Sequence, residues 1–223
     1  MLQFTTASGK HLSPVIDRLV LSGFAGRNRA EVEAHIEEMA RQGVPRPAST
    51  PLFWPVAPHL LTQANRIMVY GPDTVPEVEF VLFNWDGVDY VTVGNDQCDI
   101  EIERDISAEK SKNLCPKVLG TSAWRLEDVM EYWDRFELTA LCNGRIMQQD
   151  KLSALLRPQT LLDEVERLDG KARQGRMIYS GTIATHGTFP SCPYEMTISL
   201  GSSGRGLRIE HRFTVTSLSS FYP

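Results

Sequence analysis

Residues 76–99 read PEVEFVLFNWDGVDYVTVGNDQCD. The runs EVEFVLFN and DYVTVG are rich in β-branched and aromatic residues, so both are expected to be strands. Alternate residues of a strand share a face, which sets Glu77 and Glu79 side by side at the border of the apolar run FVLF. Two neighbouring carboxylates at the edge of a core repel, and each raises the other's proton affinity unless a cation lies between them. A hard ion such as Mg²⁺, Mn²⁺ or Ca²⁺ would satisfy them. An edge strand with two solvated glutamates is the plainer alternative. Asn95-Asp96 closes the next strand and can bring a third oxygen ligand to the same end of the sheet, leaving coordination positions for water and substrate. Read alone, Asp96 is also an ordinary turn aspartate.

Upstream, PVIDRLVLSGF (14–24) reads as a strand ending in glycine. NRAEVEAHIEEMARQG (28–43) follows, an amphipathic helix with Val32, Ile36 and Met39 at helical spacing and Gly43 as its stop. Five prolines between Pro45 and Pro58 make the next segment an extended, irregular loop across a surface. RIMVYG (66–71) adds a strand before the quoted stretch, and residues 95–117 form a polar stretch after it. Beyond lie a short helix, two strands joined at Asn143-Gly144, the amphipathic helix PQTLLDEVERLDG (158–170), and a C-terminal third of strands and glycine turns. Strands outnumber helices and the two are interleaved. The expected fold is therefore a β-rich mixed α/β domain on a rolled, mainly antiparallel sheet with a few flanking helices.

The 223 residues bury a full core without disulfide or metal staples. With 28 acidic against 23 basic side chains the net charge is −5, which lacks the basic footprint of a nucleic-acid binder. No stretch has the length and apolarity of a membrane span, and the N-terminus lacks a leader pattern, so a cytoplasmic protein is expected. Cys98, Cys115, Cys142 and Cys192 show no CxxC spacing and are read as reduced thiols.

In their order along the chain these segments resemble the fumarylacetoacetate hydrolase superfamily, and within it a compact divergent branch known as a domain of unknown function. GRNRAEVEAHIEEM is similar to that superfamily's Asn-Tyr-x-x-His-x-x-Glu segment, with His35 and Glu38 at the histidine and glutamate. PLFWPVAPHLL is similar to its proline-rich FxKPxxxL segment, PEVEFVL to its Glu-x-Glu strand, and VTVGNDQCD to its NDxSAR segment. SKNLCPKVLG resembles the GKSFDTFCPLGP loop, NGRIMQQD the NGxxxQ hairpin, and RMIYSGTIATHG the GDVIxTGTPxGVG turn. The chain departs from the pattern at Arg29, where the tyrosine is usual, and at Cys98-Asp99-Ile100, where SAR is usual.

The resemblance implies one catalytic domain over residues 1–223 with the fold of that superfamily's catalytic domain, segment 24–60 being a helix-plus-loop lid. It implies that Glu77, Glu79 and Asp96 hold one Mg²⁺ or Mn²⁺, which polarises the 2-oxo group of a small oxo-acid and stabilises an enolate. Lys112 would add a fixed positive charge beside the oxyanion, with Lys110 as its rival in a shortened loop. His35 and Glu38 share one helix face and would form a general-base pair, although Glu31 is an equally placed neighbour of His35. Gly181 and Thr182 would meet the substrate carboxylate in a glycine turn, with Arg27, Gln63 and Glu195 as further substrate-orienting candidates. The implied reaction is hydrolysis of a C–C bond in an acylpyruvate-like 1,3-dicarbonyl. A 2-oxoacid decarboxylase or keto–enol isomerase would use the same site, and a non-catalytic small-molecule-binding protein is the reading from another class. A small-molecule oxo-acid is the expected partner, with no nucleic acid or membrane, and a homodimer is implied.

Overall fold

The computed structural model describes residues 1–41, 46–71, 74–202, 206–218 and 220–221, so the expected helix stop at Gly43 lies outside the described residues. Its centre is one long hairpin, Thr74–Trp85 against Val88–Asp99, turned at Asp86 and Gly87, both at positive φ. The hairpin belongs to an eight-stranded sheet. On one flank Arg176–Tyr179, Arg18–Gly23 and Leu52–Val56 succeed one another outward from the Thr74–Trp85 strand. On the other, Lys117–Leu119 and Leu61–Thr62 follow the Val88–Asp99 strand, which also pairs with Trp124–Arg125. A second sheet of five strands runs from Arg145–Lys151 through Glu137–Cys142, Tyr194–Ser202 and Leu207–Leu218 to Arg66–Tyr70. Among the described residues pairing is mainly antiparallel, with three parallel strand pairs. The result is the β-rich mixed α/β fold on a curled sheet that the sequence led us to expect.

The Thr74–Trp85 strand is buried on both faces, which is why FVLF is a continuous apolar run rather than an alternating one. Val78, Phe80 and Leu82 face the larger core, where Trp133 meets the Phe80 ring edge-on at 5.0 Å. Val81 and Phe83 face the other way into a second core with Leu19, Leu21 and Tyr179. Phe4 and Tyr90 stack on Phe83 at 4.5 and 5.5 Å. Glu77 and Glu79 continue this second face, so the acidic pair stands at the end of an apolar row.

Two local expectations change. Leu52–Val56 is an edge strand antiparallel to Arg18–Gly23, not an irregular loop. Its Pro55 is tolerated because an edge strand has one side free of ladder bonds. The polar stretch after Asn95 is likewise structured: the strand runs on to Asp99, and the short helices Ile100–Asp105 and Ala108–Lys112 follow. Asp96 is thus interior to a strand rather than at its close. Asn143-Gly144 forms the expected turn at φ 48° and 78°, and Pro158–Asp169 the expected helix, ended by Gly170 in the left-handed region. All four cysteines are free thiols. No described helix is long and apolar enough to cross a membrane.

Candidate active site

Register builds the site. Glu77 pairs with Asp96 across the hairpin, and Asp96 pairs in turn with Lys117 on the next strand, so these three side chains form one row on one face. Glu79 lies two residues along the same face, opposite Gly94. A Cβ at Gly94 would fall 2.6 Å from Val81 Cγ2 and 2.8 Å from Tyr179 Cε1, so only glycine permits this packing. Glu77, Glu79 and Asp96 offer carboxylate oxygens that all lie within 4.8 Å of one another. The sequence reading placed these three together, and the fold brings them together.

Two lysines answer the carboxylates. Lys112 Nζ is 2.7 Å from Glu77 Oε2 and 2.8 Å from Asp96 Oδ2, with Glu103 Oε2 at 3.9 Å. Lys117 Nζ donates to Asp96 Oδ1 at 2.5 Å and to the Gln97 carbonyl at 2.7 Å. Lys112 is 5% and Lys117 0% exposed, so both are paid for by charge pairing rather than by water. Lys110 stays exposed on the helix, so of the two rivals Lys112 reaches the cluster. Lys117 was not anticipated. The signal was its place in a short strand, but only the pairing register shows that it faces Asp96.

Proton affinities follow the imbalance. Burial pushes Glu77 up to about 7, with Asp96 and Glu103 adding to the shift and Lys112 opposing it. Glu79, 1% exposed, is raised well above the ordinary carboxylate range by burial and then by Asp96 and Glu77. For Asp96 burial acts upward too, but Lys112 and Lys117 outweigh it and hold the group below its usual value. Burial works against the ammonium of Lys112, yet the surrounding anions raise its proton affinity. With all four carboxylates ionised against two ammonium groups, the cluster would carry an excess of two negative charges, which one divalent cation would balance. An all-oxygen donor set on adjacent strands suits a hard ion, so the residues fit the metal that the superfamily resemblance implies.

A cleft of about 370 Å³ opens over this cluster. Glu77, Glu79, Glu103 and Lys112 line it from the central hairpin and the helices that follow. Ser22 to Gly26 form one wall, and Thr182, Ile183 and Ala184 another. Gly181, at φ +80°, turns its amide onto Glu79 Oε2 at 2.6 Å; a Cβ there would meet the Ser22 carbonyl at 3.0 Å. Thr182 Oγ1 donates to the Val78 carbonyl and accepts from Gln148 Nε2, while Gln148 Oε1 accepts from the Val78 amide. Gln148 is thus the buried clamp that holds the Thr182 turn against the acidic strand.

The helix Arg29–Arg41 brings Glu31, Val32 and His35 to the cleft, and Trp54 joins them from the edge strand. Asn28 caps this helix by accepting from the Ala30 amide, and it donates to Glu31 Oε1 at 2.7 Å. Glu38 does not line the cleft; it is exposed, three residues beyond His35. Of the two carboxylates neighbouring His35, the one at the cleft is Glu31. Helical phase sets residues 31, 35 and 38 on one face, with Ile36 buried at 3% exposure on another, so position along the axis separates the two carboxylates: Glu31 lies on the first turn, at the cleft, and Glu38 about 10 Å further along.

Three further candidates lie elsewhere. The Arg27 guanidinium turns from the cleft to Asp134, at 2.8 Å, and to the carbonyls of Leu152 and Leu155. Gln63 ties the N-terminal segment to the sheet through Gln3 and the Gly120 carbonyl. Glu195 is exposed on the five-stranded sheet near Arg212. All three are polar residues whose partners come from distant segments, which sequence order does not disclose. Cys98 and Cys115 are buried, and burial raises both thiols, which removes the thiolate needed for a nucleophile.

A family profile described as "Protein of unknown function (DUF2848)" matches residues 22–211. No curated protein sequence matches the chain. Among solved structures, a Burkholderia cenocepacia protein provisionally named a fumarylpyruvate hydrolase is similar at TM-score 0.70 and 16% identity, over 98% of this chain and 96% of that one. A fumarylacetoacetate hydrolase family protein from yeast gives TM-score 0.68 and 14% identity over 92% and 95%. The 5-carboxymethyl-2-hydroxymuconate delta-isomerase of Mycobacterium smegmatis gives 0.66 and 16% over 94% and 82%. The chain belongs to the DUF2848 family and has the fumarylacetoacetate hydrolase fold.

Proposed function

We propose that the chain is a divalent-cation-dependent hydrolase of a small oxo-acid, cleaving the C–C bond of an acylpyruvate-like 1,3-dicarbonyl. The observation that carries this reading is one cluster of three carboxylates and a buried ammonium at the cleft, with Glu77, Glu79 and Lys112 lining it and Asp96 buried beside them. The hydrolases and isomerases among the similar folds support an activity of that superfamily. Mg²⁺ or Mn²⁺ held by Glu77, Glu79 and Asp96 would supply Lewis acidity to the 2-oxo and carboxylate oxygens of the substrate.

His35, with the Glu31 carboxylate one turn before it, takes a proton from water as that oxygen attacks the acyl carbonyl. The C–C bond then breaks, its electron pair passing to the pyruvate fragment, and the imidazolium returns its proton to that carbon. The products are pyruvate and a carboxylic acid, so one water is consumed. Lys112, fixed by its buried position, presents its ammonium to the oxygen on which negative charge develops. The Thr182 turn closes the far side of the acidic strand and keeps it in register through Gln148. Homodimeric assembly is proposed on the superfamily resemblance alone.

The test is pyruvate release from acetylpyruvate by protein loaded with Mn²⁺ or Mg²⁺. Turnover is expected, falling by roughly 10²–10³-fold in Lys112→Met, the scale of losing one oxyanion donor. No release from any acylpyruvate by protein that binds the cation would overturn the hydrolase reading. CO₂ release from oxaloacetate in its place would move the same site to decarboxylation.

A further inference from the structure

Charged and apolar side chains share the cleft lining: Trp54 has its ring 5.9 Å from Lys112 Nζ, and Phe24 lies 6.4 Å from His35. Its apolar lining is Phe24, Ala25, Val32, Trp54, Ile183 and Ala184. Among the described lining residues the basic groups are Lys112, engaged by Glu77 and Asp96, and His35, which follows Glu31 by one helical turn. The arginine next to this wall, Arg27, points away and is satisfied by Asp134 and two carbonyls. Glu31 and Glu103 add two more carboxylates to the lining.

We propose, on top of the oxo-acid reading above, that the substrate is a monocarboxylic oxo-acid whose acyl tail is uncharged and apolar, rather than a dicarboxylic acid. A distal carboxylate entering this cleft would lose part of its water, meet no lysine or arginine free of a carboxylate partner among the described lining residues, and share the lining with Glu31. An alkyl or aryl tail instead covers Phe24, Val32 and Ile183. Each methylene fully buried there raises affinity by up to about fourfold. Because the cleft holds about 370 Å³, the gain stops after a short tail.

The experiment uses two oxamates with the same head on Mn²⁺-loaded wild-type protein, N-hexyloxamate and N-(5-carboxypentyl)oxamate, with binding read by titration calorimetry. The hexyl compound is expected to bind at least about tenfold more tightly, a difference of about 1.4 kcal/mol. Val32→Lys, on the half-buried helix face, should narrow or reverse that ratio by giving the distal carboxylate a partner. Equal or tighter binding of the dicarboxylate by wild type sinks the tail assignment and leaves the oxo-acid reading standing. An unchanged ratio in Val32→Lys overturns the placement of the tail against Val32. If the cation binds and no oxamate does, the oxo-acid reading itself falls and the tail assignment with it.

Discussion

Two ion clusters in this molecule solve opposite problems. At Asp134 a single carboxylate receives Arg27 and Arg157, each at 2.8 Å, and hydrogen bonds from both guanidiniums hold it down to about 2. In the cleft the ratio is reversed: four carboxylates share two ammonium groups, and Glu77 is pushed up to about 7. The first cluster is over-supplied with positive charge and pins the segment after Gly23 to the 152–157 loop. The second is under-supplied, which costs stability and leaves a place for a cation.

The largest expected effect comes from removing Asp96, the one group that both buried lysines need. Asp96→Ala leaves Lys112 and Lys117 without their shared anion, and urea unfolding should show a loss of roughly 3–5 kcal/mol together with loss of cation binding. A cost near zero would mean that water reaches these lysines, and the contrast between the clusters would collapse.

Glu79→Gln should act with the opposite sign on stability. Gln keeps an acceptor for the Gly181 amide while removing one repelling, buried charge. In cation-free protein at pH 8 the variant is expected to be more stable than wild type by about 1–3 kcal/mol, while losing the rise in Tm that Mn²⁺ gives wild type. A variant that is less stable and still stabilised by Mn²⁺ would remove Glu79 from the ion site.

The two clusters also predict opposite pH dependences. A carboxylate whose folded value lies above its unfolded one binds its proton more tightly in the fold. Glu77 therefore favours the fold below its ordinary 4.5, and that contribution is lost as pH rises through about 7. Asp134 is depressed, so its contribution is present above its ordinary 3.8 and is lost as pH falls through about 2. Cation-free protein should lose stability between pH 5 and pH 8, and saturating Mn²⁺ should flatten that limb alone. Denaturant midpoints across pH with and without Mn²⁺ provide the check. The smallest effect belongs to Asp134→Asn, whose half-exposed pairs limit the loss to about 1 kcal/mol, with cation affinity unchanged.

Much of the fold and part of the site are legible in the chain itself. Alternation in Glu77-Val78-Glu79 puts two carboxylates on one face whatever the strand pairs with, and a continuous FVLF marks a strand buried on both sides. Asn143-Gly144 and Gly170 mark a turn and a helix end because few other residues adopt left-handed backbone cheaply. Gln63 and Arg27 looked suited to a substrate, yet each is occupied by backbone carbonyls from segments tens of residues away. Glu31 and Glu38 have nearly the same helical phase in EVEAHIEEM, and the choice between them turned on which end of the helix meets the cleft.

What the sequence determined by itself is what depends on near neighbours: the period of each strand and helix, the turns, and the acidic pair. Only the tertiary structure decided which strand lies beside which. It set Lys117 across from Asp96, made Leu52–Val56 a strand, and turned Arg27 outward. Register between distant segments arises when whole faces are buried together, and one chain's local pattern carries its period but not its partner.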